Sequence, residues 1–183
     1  MPRTLALVAL TIALLLAATG SASAHHYDSL LAPTSVCPGQ TDTRRSVDNQ
    51  EWTMRCMHNH VRSKRRLPYL STRSGLMSAA GSKSADMMRC QDFAHEACGR
   101  DTFYWTKRSG YISRCSGAGE NIAWGSGSLG SVRAIMSAWL HSDPHRRNLL
   151  KAAYRDKGVG LVKGRFRGYS GSQVWTTQFG YRC

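Results

Sequence analysis

Three observations place this chain in the α+β class: apolar residues recur at helical spacing through most of its length, two segments of alternating apolar residues close it, and six cysteines follow an N-terminal export signal. A chain of 183 residues, 42% of them hydrophobic, fits one domain with a core of its own and excludes a disordered polymer. The cysteines then act as staples on that core rather than as its substitute.

The first segment is not part of the fold. Met1 to Arg3 is a short basic start, Leu5 to Ala18 is apolar apart from one Thr, and Ala22-Ser23-Ala24 supplies small residues for cleavage after Ala24. The apolar run of 14 residues is shorter than a membrane-spanning helix, and no later stretch approaches that length. Residues 1–24 therefore read as a signal peptide, and the mature chain is expected to be secreted, monomeric and without a transmembrane segment. Residues 25–45, rich in Ser, Thr, Pro and Gly, read as an extended arm held by Cys37 rather than by packing; the domain covers 46–183.

From Val47 the spacing predicts a helix with Trp52, Met54, Met57 and Val61 on its inner side and Arg62, Lys64, Arg65 and Arg66 outside, ended by Leu67-Pro68. A second helix fits Gly75 to Cys90, with Leu76, Ala79, Ala80, Lys83 and Met87 on one stripe whose small residues predict close packing. Ser131 caps a third, in which Val132, Ile135, Met136, Trp139 and Leu140 face a core. Asp143-Pro144 supplies an N-cap and first-turn proline for a short helix to about Lys151, with Leu149 and Leu150 turned inward and His145 in its first turn. Strands follow at Gly158 to Lys163 and Gln173 to Phe179, with a Gly-rich turn between them.

A set of motifs runs through this framework in one order: Phe93-Ala94-His95, then Gly119-Glu120-Asn121-Ile122-Ala123-Trp124-Gly125, then Trp139-Leu140-His141-Ser142-Asp143-Pro144-His145, then Gly158-Val159-Gly160 and Trp175-Thr176-Thr177-Gln178-Phe179-Gly180. Together they resemble the CAP superfamily (cysteine-rich secretory proteins, antigen 5 and pathogenesis-related 1 proteins), or SCP domain, in its bacterial form, over about Val47 to Cys183. The resemblance implies a three-layer α-β-α sandwich. It also implies a central cavity in which two histidines and acidic residues converge and hold a divalent metal such as zinc. His95, Glu120 and His145 match that pattern. Where eukaryotic members carry a second glutamate this chain has Ser142, which leaves a weaker metal set unless Asp143 or water completes it. Six cysteines allow 15 pairings. The preferred set is Cys37-Cys56, anchoring the arm, Cys90-Cys98, bracketing His95, and Cys115-Cys183, tying the terminus to the loop before Glu120; in the first two the chain resembles bacterial members.

Read by their chemistry alone, two imidazoles and one carboxylate suffice for zinc with an open fourth position. His95 is followed by Glu96 but position 99 is Gly, so no H-E-x-x-H metalloprotease helix exists. Ser142 and His145, three apart, have the spacing of a nucleophile and its base, although Ser142 is better explained as a helix cap. His58 and His60 are two apart, cannot share a helical face, and read as surface residues. A free amine at His25, with His26, would form a copper chelate, against the commoner outcome of a flexible terminus.

The net charge of +14 is concentrated. Seven basic residues lie in 44–66 against Asp48 and Glu51, and eight in 146–167 against Asp156, both runs read as exposed. A surplus of that size favours salt-sensitive attachment to anionic cell-wall polymers or membrane surfaces. Aromatic-basic interleaving of the nucleic-acid kind is missing, so no specific nucleic acid is expected. The first reading is thus a secreted binding module for a lipid, sterol-like or cell-envelope ligand, with a ligand cavity formed by His95, Glu120, Ser142 and His145. A metal-assisted hydrolase and a basic envelope-adhesion protein are the alternatives, and no catalytic residue is assigned.

Overall fold

The computed structural model describes residues 27–112 and 116–182. The signal peptide, the His25-His26 pair and the Cys115-Cys183 bridge lie outside those residues. Helix α1 spans Val47–Ser63, opened by the Ser46 hydroxyl accepting from the Asn49 N–H, and α2 spans Ser74–Cys90, ended by Gln91 in the left-handed region at φ 54°. A short α3, Tyr104–Arg108, was not expected from the sequence. Helix α4, Val132–His141, is capped by Ser131 as predicted, and α5 spans Asp143–Leu150 with its proline in the first turn. Among the described residues, no helix is long and apolar enough to cross a membrane.

Four strands form one sheet in the order β1-β3-β4-β2: β1 Ser71–Thr72, β2 Ser116–Ser126, β3 Asp156–Phe166 and β4 Tyr169–Arg182. β1 runs parallel to β3, while the β3/β4 and β2/β4 pairs are antiparallel. The two predicted C-terminal strands are present and longer than expected, leaving only a tight turn between them. The two-residue β1 was not foreseen, and neither was β2. Its Gly-Glu-Asn segment, expected as loop, is a sheet edge, because the alternation that marks a strand is hidden where three glycines fall within nine residues.

Helices cover both faces. On one, α2 lies against β3 and β4, with Met87, Ile122, Phe166 and Val174 buried together. On the other, Met54, Met57 and Val61 of α1 join Ile135, Met136, Trp139 and Leu140 of α4 over Val159, Leu161, Trp175 and Phe179. This is the three-layer arrangement that the motifs implied. Glycine sets the spacing on the α2 face: a Cβ at Gly158 would overlap the Leu76 carbonyl and one at Gly160 would overlap the Ala80 backbone. The small residues of α2 therefore meet glycines of β3, and helix and sheet backbones touch.

Several expectations are corrected. The stretch before α1 is packed, not merely tethered. Leu30, Leu31 and Ala32 are buried in the main core, and Gln40 holds the segment together by donating to the Ala32 and Cys37 carbonyls at 3.0 and 2.9 Å. Trp52, expected inside, is 49% exposed. Arg62, expected outside, is fully buried, because carbonyls rather than carboxylates receive it: Nε donates to Pro68 O at 2.8 Å, Nη1 to Leu149 O at 2.9 Å and Nη2 to Tyr154 O at 3.2 Å. Leu149 and Tyr154 lie at and beyond the α5 C-terminus, where unpaired carbonyls call for a cation. His58 is buried rather than on the surface, its Nδ1–H donating to Met54 O at 2.7 Å and its ring between Trp139 and Phe179; His60 is partly buried. The disulfides Cys37-Cys56 and Cys90-Cys98 are both formed.

Two stability outcomes follow from this packing. Gly158→Ala should cost about 3 kcal/mol in urea unfolding, because the added methyl meets backbone that cannot move aside. Burial, with the Lys157 charge nearby, lowers the His58 pKa from 6.5 to about 3. The unfolded chain therefore takes up a proton that the folded one refuses, and the stability present above pH 6.5 is lost as pH falls toward 3. His58→Gln should show a smaller loss of urea midpoint across that window.

Candidate functional site

Glu120 lies within β2, opposite Gln178 of β4, and its side chain is only 1% exposed. A carboxylate so placed needs partners on both oxygens. Oε1 accepts from His95 Nδ1–H at 2.7 Å and stands 3.9 Å from Lys83 Nζ; Oε2 accepts from Gln178 Nε2 at 2.5 Å. Each partner comes from a different element: Lys83 from α2, His95 from the segment after it, Gln178 from the neighbouring strand. Lys83 also donates to the His95 carbonyl, so one buried ammonium holds both the charge and the backbone of the pair. The Cys90-Cys98 bridge closes the segment that carries His95, as the sequence reading anticipated.

His145 enters from α5. Its carbonyl accepts from Asn121 Nδ2 at 3.0 Å, and Asn148 of the same helix donates to Glu120 O at 3.1 Å and Asn121 Oδ1 at 2.9 Å. The ring Nδ1 lies 2.8 Å from Ser142 Oγ. Ser142 does occupy the N-cap position of α5, but its side chain caps no backbone N–H; the hydroxyl is spent on the imidazole. The two histidines are pushed in opposite directions. The hydrogen bond to Glu120 raises the His95 pKa above its ordinary value, outweighing burial, whereas burial and then the positive charge of His95 lower that of His145.

A cavity of about 470 Å³ opens to solvent over this pair. His95, Glu96, Thr102 and Phe103 form one wall, Ala118, Gly119 and Glu120 the floor, and Asn148, Lys151 and Tyr154 the other wall. Gly119 is needed there, since a Cβ would run into the Tyr154 ring and the Asn148 amide. Ser142 and His145 do not line this cavity. Among the described residues, no three His, Cys, Asp or Glu side chains are grouped to hold a metal ion.

The structure thus brings His95 and Glu120 into direct contact and joins Ser142 to His145. Sequence reasoning missed Lys83, Gln178, Asn121, Asn148 and Tyr154. Lys83 had a visible signal, a charged residue on the inward stripe of α2, since a lysine is almost never buried without a partner. Gln178 stood within the Trp-Thr-Thr-Gln-Phe-Gly motif, yet its role depends on the β2/β4 register, which only the unforeseen strand creates.

Comparison with known proteins agrees with the fold. Residues 56–179 match the cysteine-rich secretory protein family. An uncharacterized Bacillus subtilis (strain 168) protein, YkwD, is 31% identical over 163 residues, which are 88% of this chain and 59% of that protein. The chain therefore spans less than two thirds of that relative. Among solved structures, an extracellular SCP-domain protein from Bacillus anthracis aligns at TM-score 0.61 and 24% identity over 75% of this chain and 44% of its own. An outer surface protein from Borrelia burgdorferi aligns at TM-score 0.64 and 16% identity over 76% and 97%. A cysteine-rich secretory protein from Staphylococcus aureus aligns at TM-score 0.58 and 18% identity over 76% and 40%. At these identities the likeness shows the fold alone.

The opposed histidines are open to direct measurement by NMR titration. In the wild type His95 should titrate above 6.5 and His145 below it. Glu120→Gln should bring His95 down, and His95→Ala should let His145 rise. The stability that the His95–Glu120 pair adds is complete below pH 6.5 and is lost as pH rises through the raised His95 value.

Proposed function

The chain belongs to the cysteine-rich secretory protein (CAP) family, and from that premise we propose that it is an exported binding module whose open pocket takes the anionic head of a lipid or cell-envelope ligand. The observation that carries this reading is the His95–Glu120 pair at the pocket wall. Glu120 is sealed below, while the His95 side chain is 42% exposed and keeps its Nε2 for a ligand. Lys151 and Tyr154 add a cation and a hydroxyl on the opposite wall, and Glu96 is engaged by the Thr102 hydroxyl at 3.0 Å. Phe103 and Ala118 are the apolar side chains of the lining, so the pocket suits a polar head better than a sterol-like body. Export fits the two disulfides and the extracellular or outer-surface descriptions of the structural relatives.

The divalent metal that the family implies finds two imidazoles here. His95 and His145 would hold it through Nε2, since their Nδ1 atoms are occupied by Glu120 and Ser142. Glu120 does not fit as a ligand: His95, Gln178 and Lys83 already take up its oxygens, and it would instead orient His95 from behind. A bound zinc ion would supply one more positive charge to an anionic ligand. Without a third protein ligand the site is weaker than a structural zinc site.

A hydrolase reading has one observation in its favour, the Ser142 Oγ to His145 Nδ1 distance of 2.8 Å beside an imidazole that burial keeps neutral. Among the described residues no carboxylate bonds to His145 to orient it, which ranks binding first.

Vesicles with and without anionic phospholipid, and a soluble anionic wall polymer, should be tested against wild type and His95→Gln/Lys151→Gln. The double variant should bind about tenfold more weakly, while Arg165→Gln/Arg167→Gln changes little. Equal losses in both variants would instead assign attachment to the basic surface. Zinc titration separates the ligand roles: His145→Ala should abolish binding, and Glu120→Gln should weaken it by roughly 10- to 100-fold. Ester turnover removed by Ser142→Ala would move the reading to hydrolysis.

A further inference from the structure

The sheet edge farthest from the His95 pocket carries a second cleft. β1 is only two residues long, and an opening lies between its end of the sheet and α1. The opening, about 390 Å³, is lined by Trp52, Arg55, Cys56 and Asn59 of α1, Thr72 of β1 and Lys157 of β3. Residues 52, 55, 56 and 59 share one helical face, so the lining follows from helical spacing alone. That volume lies in the lower part of the range for small-molecule sites, roughly 300 to 1,000 Å³.

The chemistry of the lining is one-sided. Lys157 is 1% exposed, and its side-chain nitrogen, with three donors when charged, makes a single hydrogen bond among the described residues, to Leu70 O at 3.2 Å. Arg55 is the second cation, and no carboxylate lines the cleft. Two acids lie close by in the fold: Glu51 accepts from the Leu161 N–H at 2.9 Å and stands 4.0 Å from Arg55, and Asp156 is engaged by Arg73 at 2.7 Å and Tyr111 at 2.8 Å. Asn59 is spent on both backbone groups of Leu70. A buried cation with donors to spare and a second cation beside it call for an anion. The rim adds Trp52, an indole 49% exposed on a helix whose pattern would have placed it in the core. An indole so exposed can stack on a ligand ring.

We infer that this cleft is a ligand site for a small aromatic anion, with the anionic group on Lys157 and Arg55 and the ring against Trp52. Nothing in it depends on the His95 pocket, which opens at the opposite edge of the sheet. Carboxylate and phosphate share the required chemistry, and the probes distinguish them.

The test is calorimetric titration at fixed ionic strength with phenyl phosphate, benzoate and inorganic phosphate. Wild type should bind at least one of the two aromatic probes more tightly than inorganic phosphate. Lys157→Met should weaken that binding about tenfold or more and leave thermal stability unchanged or raised, since it removes a buried charge that lacks a counter-charge. Arg55→Gln, on a partly exposed side chain, provides the same readout independently of any effect of Lys157→Met on folding. Trp52→Ala should abolish the preference for the aromatic probe over inorganic phosphate, and His95→Gln should change nothing. Binding unaltered in folded Lys157→Met and in Arg55→Gln, or no preference for an aromatic probe in the wild type, would overturn the assignment.

Discussion

Glu120 carries a carboxylate into a sheet with its side chain only 1% exposed, and the cost of that burial organises much of the molecule. Its oxygens are satisfied only when α2 presents Lys83, the disulfide-closed segment presents His95 and β4 presents Gln178 in register. Layer spacing, strand register and loop closure are therefore coupled through one side chain. The glycines of β3 belong to the same requirement, because Lys83 reaches Glu120 only if α2 lies directly on the sheet. Removing one partner would leave a buried charge uncompensated, which is costlier than losing an ordinary contact.

Much of this was legible beforehand, and the divisions are physical. Helices α1, α2, α4 and α5 were readable because each has an apolar stripe at helical spacing and a recognisable start or stop. The terminal strands were readable by alternation. Strand β2 was not, since its Gly-Ala-Gly-Glu-Asn run lacks both alternation and β-branched residues, and it gains its place through pairing with β4. His95, Glu120 and His145 were grouped by resemblance to a family, not by spacing. Lys83 and Gln178 became visible only once distant elements were brought together. Arg62 and His58 were misplaced for one reason: polarity was taken to mean exposure, whereas both are held by backbone carbonyls, Arg62 by those around the α5 C-terminus and His58 by that of Met54 one turn back in its own helix.

The two edges of the sheet handle charge differently. At β2 a buried anion is met by protein cations, so that the cavity above it is electrostatically organised before any ligand arrives. At β1 the buried carboxylate of Asp156 is taken up by Arg73 and Tyr111, whereas the buried cations Lys157 and Arg62 contact mostly carbonyl oxygens. Burial pushes the Lys157 pKa down to about 7, with Arg55 and Arg62 reinforcing the effect. A single sheet thus separates a compensated carboxylate from a lysine whose charge burial disfavours, with the Gly158 and Gly160 contacts on one face and the α1 and α4 core on the other.

Strand β2 also ends the sheet, and a strand in that position offers its outward carbonyls to any passing chain. Two of them are already taken: Asn148 Nδ2 donates to Glu120 O at 3.1 Å and Trp139 Nε1 donates to Ile122 O at 3.1 Å. The helices that carry the site are therefore also its guard against sheet extension. A lineage that let the pocket decay by losing Asn148 or shifting α5 would expose a pairing edge, and with it a tendency to self-associate. Retention of these side chains can in that way be enforced by solubility alone, even in a relative that no longer binds anything.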